Sequence, residues 1–325
     1  MALLDVENLV VRLPTARGMA AAVRGASFSL DRGERLGLVG ESGSGKSMTA
    51  LALLGLLPEG AELAGSIRFD GRELVGLPED ELCRFRGDRI GMVFQEPMTA
   101  LNPLHTVGRQ VAEPLRLHRG FSASAAREAA VALLDRVGIP DAAWRAASFP
   151  HQLSGGQRQR AIIAMALACG PDLLIADEPT TALDVTLQRQ ILDRLVELCE
   201  ESGMALLLIS HDLGVVAETT RRMLVMYGGS IMESGPTAAM LRRLAHPYSQ
   251  GLIGARPRLG AQRGVRLSTI PGSAPALAEI PVGCPFAERC RLAIDECKAA
   301  LPAQEIVGPD HVARCIRLDA AGARP

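Results

Sequence analysis

The chain has 325 residues, 48% of them apolar, and a formal net charge of −1. That length supports one large domain or two modest ones with a sizeable core, and the balanced charge provides no general basic field to draw nucleic acid. No apolar run approaches the ~18 residues of a membrane-spanning helix, and the N-terminus (MALLDVENLV) lacks the basic region of a signal peptide. The sequence therefore predicts an intracellular protein that works at a membrane only through other subunits.

Residues 2–11 and 26–30 read as short strands, and Arg35 to Val39 (RLGLV) as a buried parallel strand. Gly40, Glu41, Ser42, Gly43, Ser44, Gly45, Lys46 and Ser47 then spell GESGSGKS, which fits G-x-x-x-x-G-K-[ST]. Met48 opens a helix-forming stretch to Leu57. Strand, glycine-rich turn and helix is the context this phosphate-cradling motif requires. The glycines let successive N–H groups face one anion, and the helix N-terminus adds partial positive charge. Lys46 can reach the β- and γ-phosphates of a nucleotide, and the Ser47 hydroxyl suits Mg²⁺.

Residues 65–70 read as a strand entering a turn, and Ile90 to Gln95 as a strand ending in an amide able to touch both Mg²⁺ and water. The segment 97–170 reads as mainly helical. Within it Ser124 to Val137 has apolar residues at helical spacing, with Gly138 as a stop. Ser154 caps a helix to about Cys169, and Ser154, Gly155, Gly156 and Gln157 make a second helix N-terminus open to backbone approach.

Leu173 to Ala176 is a buried strand with Asp177 and Glu178 at its carboxyl end, where open α/β sheets bind ligands. We assign Asp177 to the metal and Glu178 to orienting the attacking water. Thr186 to Ser202 is helical. Leu206 to Ile209 is another strand, ending near His211, which is placed to contact a γ-phosphate. Leu224–Tyr227 and Gly229–Glu233 form a hairpin. Strands alternating with helices imply a parallel α/β sheet. From His246 prolines accumulate and periodicity fades, so a boundary falls at 240–250.

Seven cysteines are present. Cys83, Cys169 and Cys199 read as small hydrophobes. Cys284, Cys290, Cys297 and Cys315 cluster as C-x₅-C-x₆-C-x₁₇-C, unlike the short pairs of most zinc sites. Four thiolates also match the ligand set of a [4Fe–4S] cluster. Cluster, zinc and unliganded thiols all stay open on ligand type alone.

With LSGGQ (Leu153 to Gln157) following the P-loop in one chain, the sequence resembles the ATP-hydrolysing subunits of ATP-binding-cassette (ABC) transporters. The resemblance covers nearly the whole chain. Gln95 matches the Q-loop, Leu173 to Glu178 the Walker B segment with its catalytic glutamate, Thr181 to Asp184 the D-loop and His211 the switch histidine. It implies a P-loop NTPase of the ABC type with a helical subdomain (about 97–170), an antiparallel N-terminal β-subdomain and a small cysteine-containing C-terminal extension. It also implies ATP and Mg²⁺ as cofactors, with Ser47, Gln95 and Asp177 at the metal, and a head-to-tail dimer in which Ser154 to Gln157 close over the partner's ATP.

FQEPMTALNP (Phe94 to Pro103), IADEPTTALDVT (Ile175 to Thr186), HDLGVVAE (His211 to Glu218), HPYSQGL (His246 to Leu252), IPG (Ile270 to Gly272) and GCPFAERC (Gly283 to Cys290) narrow the resemblance to the peptide/nickel importer group. Some members of that group hold a [4Fe–4S] cluster in this tail. The implied domains are 1–245, nucleotide-binding, and 246–325, the extension. The implied partners are a second ATPase subunit, two transmembrane permeases and an extracytoplasmic solute-binding protein, with the chain peripheral on the cytoplasmic face of the inner membrane. One departure stands out. The aromatic residue that the family stacks on adenine is missing from Leu13 to Arg24.

The competing readings are an ATPase of a nickel or other small-solute importer, and a soluble ABC-type ATPase in DNA repair. The latter needs a long coiled coil between P-loop and signature, and no heptad run of that length exists. A GTPase needs N-K-x-D, and neither Asn8 nor Asn102 begins one.

Overall fold

The computed structural model describes residues 2–95, 100–181, 183–255 and 269–323. In chain order the strands are β1 (Leu4–Thr15), β2 (Gly18–Leu30), β3 (Arg35–Val39), β4 (Glu62–Phe69), β5 (Arg72–Glu73), β6 (Ile90–Val93), β7 (Leu173–Asp177), β8 (Ala205–Ser210), β9 (Arg222–Tyr227), β10 (Ser230–Pro236), β11 (Glu305–Gly308) and β12 (His311–Ala313). The helices used below are α1 (Lys46–Leu53), α2 (Glu79–Phe85), α3 (Val107–Arg119), α4 (Ala123–Arg136), α5 (Ala142–Ala147), α6 (Gly155–Leu167), α7 (Val185–Ser202), α8 (Leu213–Thr219), α9 (Thr237–Arg242), α10 (Pro247–Gly254) and α11 (Glu296–Ala299). The chain forms two compact units that interleave in sequence: Met1–Leu4, Leu30–Arg35 and Phe69–Ile209 in the first, and Asp5–Ser29, Leu36–Arg68 and Ser210–Pro325 in the second.

In the first unit β6, β7 and β8 run parallel, with Ile90 opposite Leu173 and Leu173 opposite Ala205. Every residue of β7 and β8 is buried. A parallel strand covered on both faces has to be apolar throughout, which is why LLIA and LLLI appear as unbroken runs. Helices α3 to α6 form a helical layer. Its seams are built of small residues: a Cβ on Gly108 would meet Ala146 Cβ at 2.8 Å. Ser122 caps α4 by accepting from the Ala125 N–H, and Gly138, at φ +82°, follows its end. Arg32 and Arg89 both pair with Asp70 and Asp172 in an exposed network. Such a network is worth little per pair in water.

The second unit orders its strands β11-β12-β10-β9-β3. β3 lies parallel to β9, and β9 and β10 form the expected hairpin. In the same unit β1 lies between β2 and β4. Helix α1 begins at Lys46 and stops at Leu53, shorter than the stretch expected to Leu57, because Gly55 turns the chain at φ +62°. Beyond residue 245 the described residues form more regular elements than fading periodicity implied. α10 starts with Pro247 at its first turn, where a missing N–H costs nothing. The hairpin β11–β12 pairs onto β10.

That attachment rests on one buried carboxylate. Glu233 accepts from the backbone N–H groups of Ala245 and His246 at 2.8 and 2.9 Å, and its Oε1 lies 2.8 Å from His311 Nε2. His246, fully enclosed, has its pKa pushed down to about 4 by burial despite the pull of Glu233. Its neutral Nδ1 accepts from the Tyr248 N–H and so caps α10.

Candidate functional site

The second unit carries the glycine-rich Gly40–Ser47 loop, the candidate phosphate cradle. Gly40 and Gly45 are dictated by close packing: a Cβ would come within 2.1 Å of Met226 O at the first and 2.5 Å of Ala22 O at the second. Gly43 and Gly45 also take φ of +77° and +103°, which other residues rarely adopt. Lys46 is buried, and its Nζ donates to the carbonyls of Gly40 and Glu41, both at 2.9 Å. The ammonium is thus fixed over the loop by the loop's own backbone. Ser44 O accepts from the Gly229 N–H at 3.0 Å, tying the cradle to the β9–β10 turn. Ser47 and Met48 lie in the first turn of α1. His211 is exposed just past β8, ahead of the Asp212 cap of α8.

The first unit carries the carboxylates. Asp177 ends β7 and is 3% exposed. Glu178 follows at φ +47°, a left-handed conformation that costs a non-glycine residue roughly 1 kcal/mol or more. Its N–H donates to Ile209 O at 2.9 Å. Its Oε2 accepts from Thr181 Oγ1 at 2.9 Å and lies 3.4 Å from Gln95 Nε2. The fold therefore brings Gln95 and Glu178 side by side, and it shows Thr181, read from the sequence only as part of the D-loop, holding the carboxylate. Residues 96–99 of FQEPMTALNP, the start of the helical segment at 97, and Ala182 of the D-loop lie outside the described residues.

In the same unit Ser154 caps α6 in a capping box. Its Oγ accepts from the Gln157 N–H, and Gln157 Oε1 accepts from the Ser154 N–H. Among the described residues a Cβ on Gly155 would find only Leu183 within 4 Å, at 3.8 Å, whereas at Gly156 a Cβ would meet Leu187 at 2.4 Å. So Gly155 tolerates a side chain, and Gly156 is required by the packing of α7. Elsewhere in this unit Gly108, Arg109, Arg116, Arg127 and Val131 line a cavity of about 510 Å³ among α3, α4 and α5.

Cys284, Cys290, Cys297 and Cys315 all line one small cavity with His246 and Phe286. Burial pushes the Cys284 thiol up to about 12 and raises those of Cys290 and Cys315. The four expected ligands thus face a common space. As these side chains stand, however, no group of three or more His, Cys, Asp or Glu among the described residues is close enough to hold a metal ion. Of the scattered cysteines, Cys169 and Cys199 are buried and Cys83 is exposed.

The residues that sequence reasoning missed are Tyr227, Tyr248 and Arg289. The Glu41 N–H donates to Tyr248 Oη at 2.7 Å, and the Arg289 guanidinium binds the Glu41 carboxylate at 2.7 and 3.2 Å. The segments HPYSQGL and GCPFAERC contained two of them, but nothing local ties them to the P-loop.

Comparison with known proteins agrees with this geometry. The family described as "ABC transporter" matches residues 23–181, and the one described as "Oligopeptide/dipeptide transporter, C-terminal region" matches residues 232–297. A Brucella abortus (strain 2308) protein, provisionally named a peptide import ATP-binding protein, is 52% identical over 97% of this chain and 97% of its own. The oligopeptide transport ATP-binding protein OppD of Haemophilus influenzae is 50% identical over 92% of each chain. Among solved structures, the dimeric ATP-binding cassette MJ0796 bound to ADP and Pi superposes with a TM-score of 0.65 at 31% identity, covering 72% of this chain and 98% of that one.

Proposed function

This chain belongs to the ABC transporter family, in the group that carries the oligopeptide/dipeptide transporter C-terminal region, and from that premise we propose that it is the ATP-hydrolysing subunit that energises peptide import. The observation that carries the reading is the Gly40–Ser47 cradle with the Lys46 ammonium fixed over it. An ammonium held by carbonyls, in a loop of backbone donors, binds the β- and γ-phosphates of a nucleotide.

The residue roles follow from chemistry. Ser47, Gln95 and Asp177 offer hard oxygen donors, which suits Mg²⁺. When bound, the ion neutralises charge on the phosphates. Glu178, held by Thr181, polarises the attacking water, and His211 contacts the γ-phosphate. Ser154, Gly155, Gly156 and Gln157 meet the ATP of the opposing subunit, so that ATP closes a head-to-tail dimer and hydrolysis releases it. The second ATPase is a different chain in this proposal. The closing motion moves residues 97–170 against the permeases, and the arginine-lined cavity of the helical layer supports that contact. No helix among the described residues is long and apolar enough to cross a membrane. The subunit is peripheral to its transporter, on the cytoplasmic face.

We further propose a domain boundary near residue 245 and a [4Fe–4S] cluster in the extension, supported by the single cavity that all four cysteines line. Ligation needs thiolates, and iron supplies the charge that stabilises them against burial. Its test is anaerobic purification. Broad absorption near ~400 nm with about four irons per chain is the expected result, bleached by Cys290→Ser. One zinc per chain and no iron would replace it.

The function is tested by co-expression with a second ATPase, two permeases and a binding protein of the peptide-importer group, followed by reconstitution in vesicles. ATP-dependent peptide uptake is expected. Uptake of nickel without peptide transfers the chain to a metal importer, and ATPase activity with no membrane partner overturns the transport reading.

A further inference from the structure

Arg289 is the least expected contact of the P-loop. Its side chain is 8% exposed and belongs to a one-turn helix that ends beside Cys290. Nη1 reaches Glu41 Oε2 at 2.7 Å and Nη2 reaches Oε1 at 3.2 Å. Nη1 also donates to Tyr227 Oη at 3.0 Å, and Nε donates to Pro271 O at 2.8 Å. The guanidinium lies over the rings of Tyr227 and Phe286, 5.7 and 5.9 Å from their centroids. Burial alone would lower the Arg289 pKa, but the hydrogen bonds it donates to Glu41 and Tyr227 leave it raised, so the charge stays on.

Glu41 is gripped at every polar point. Its carboxylate takes Arg289, its N–H donates to Tyr248 Oη, and its carbonyl accepts from Lys46 Nζ. Tyr248 is fully buried. A rotation of the Glu41 peptide would therefore withdraw a partner from the phosphate-binding lysine. A second brace lies at the Gly228–Gly229 turn. A Cβ on Gly228 would meet Pro285 at 2.5 Å, and the Gly229 N–H donates to Ser44 O. The extension thus holds the cradle directly at its second residue, and it packs on the turn that holds the fifth.

We propose that Arg289 and Tyr248 are positioning residues for nucleotide binding: the C-terminal extension preorganises the P-loop through Glu41, and this chain's nucleotide-binding domain depends on it for full affinity. The proposal rests on the ATPase reading above. A bidentate pair of this kind fixes geometry as well as charge, and a loop already held in its binding shape loses less freedom when ligand arrives. Because Arg289 precedes Cys290 directly, the packing of the thiol cavity bears on the same contact.

The test is MgATP binding to the purified full chain, with steady-state ATPase of the assembled transporter. Arg289→Met keeps apolar bulk and removes the fork. It should weaken MgATP binding about tenfold, as expected for a lost charge-assisted hydrogen bond. It should raise KM for ATP while kcat stays within about twofold, the signature of lost ground-state binding. Glu41→Gln should do nearly the same, and the double variant should add little, since both remove one interaction. Arg289→Lys should recover part of the affinity. A role confined to holding the extension together would lower the melting temperature but leave affinity at a folded temperature unchanged, and that result overturns the proposal. If Arg289→Met does not fold, Tyr248→Phe decides, because it deletes only the hydroxyl that accepts from Glu41. Weaker MgATP binding supports the proposal and wild-type affinity overturns it. Failure of the wild-type chain itself to bind MgATP would instead sink the ATPase reading.

Discussion

The Thr181 hydroxyl donates a 2.9 Å hydrogen bond to the same Glu178 oxygen that lies 3.4 Å from Gln95 Nε2. The carboxylate is therefore aimed by a neighbour three residues away, on a backbone that Glu178 itself holds in a left-handed conformation. Strain kept at one carboxylate marks a residue whose direction matters. Glu178→Gln preserves this shape and the hydrogen bond from Thr181, but an amide cannot polarise water. We expect ATP binding within a fewfold of wild type, turnover reduced by about 10² to 10⁴, and accumulation of an ATP-bound dimer. Steady-state hydrolysis with size exclusion in ATP checks this. Normal turnover would remove Glu178 from the chemistry.

Lys46→Ala acts at the other half of the reaction. The ammonium contacts two loop carbonyls and carries the charge meant for the phosphates. Losing it should weaken nucleotide binding by roughly 10- to 100-fold, the size of a charge-assisted hydrogen bond. Titration of both proteins with MgATP decides. Equal affinities would mean that the cradle does not bind nucleotide through Lys46.

Much of this was legible from the sequence for a physical reason. β7 and β8 are buried on both faces, so they appear as apolar runs. Gly43 and Gly45 of the P-loop take backbone conformations that other residues rarely adopt, and Gly40 is fixed by close packing. The Ser154 cap is legible because a capping box is local, spanning four residues. The extension was hard to read for the opposite reason. β11 and β12 are four and three residues long, too short to show alternation. The pair Glu41–Arg289 joins residues 248 apart, which no window of sequence contains. Gly156 was read as making room for phosphate, but Leu187 of α7 gives it a packing reason that only the fold displays.

Glu233 tests how the extension is attached. It is fully buried and accepts from two backbone N–H groups beside His311. Glu233→Gln replaces an acceptor-only group with one that must turn an NH₂ toward donors. Leaving a buried donor unsatisfied costs about 1–3 kcal/mol, more where charge was involved. Urea unfolding should show a loss of that order, with β10–β12 pairing weakened first in amide exchange. Unchanged stability and protection would show that the hairpin is held by its apolar contacts alone.

Ser154→Arg tests the dimer in which two subunits share each ATP. Ser154 caps α6, and Gly155 next to it has open space at its Cα. A long cation in place of Ser154 blocks the approach of this helix end to another subunit's phosphates. It also removes the cap, which costs about 1 kcal/mol, so melting temperature is measured alongside and Ser154→Ala serves to separate that loss. The residue lies outside the Gly40–Ser47 loop, so MgATP binding to this chain's own cradle should keep its wild-type affinity. Closure with the second ATPase, hydrolysis by the assembled transporter and peptide uptake should all fall at least tenfold, while Ser154→Ala should fall less. If Ser154→Arg supports wild-type hydrolysis and uptake in the reconstituted complex, Ser154 to Gln157 do not close over the partner's nucleotide, and the shared-site mechanism is wrong for this transporter.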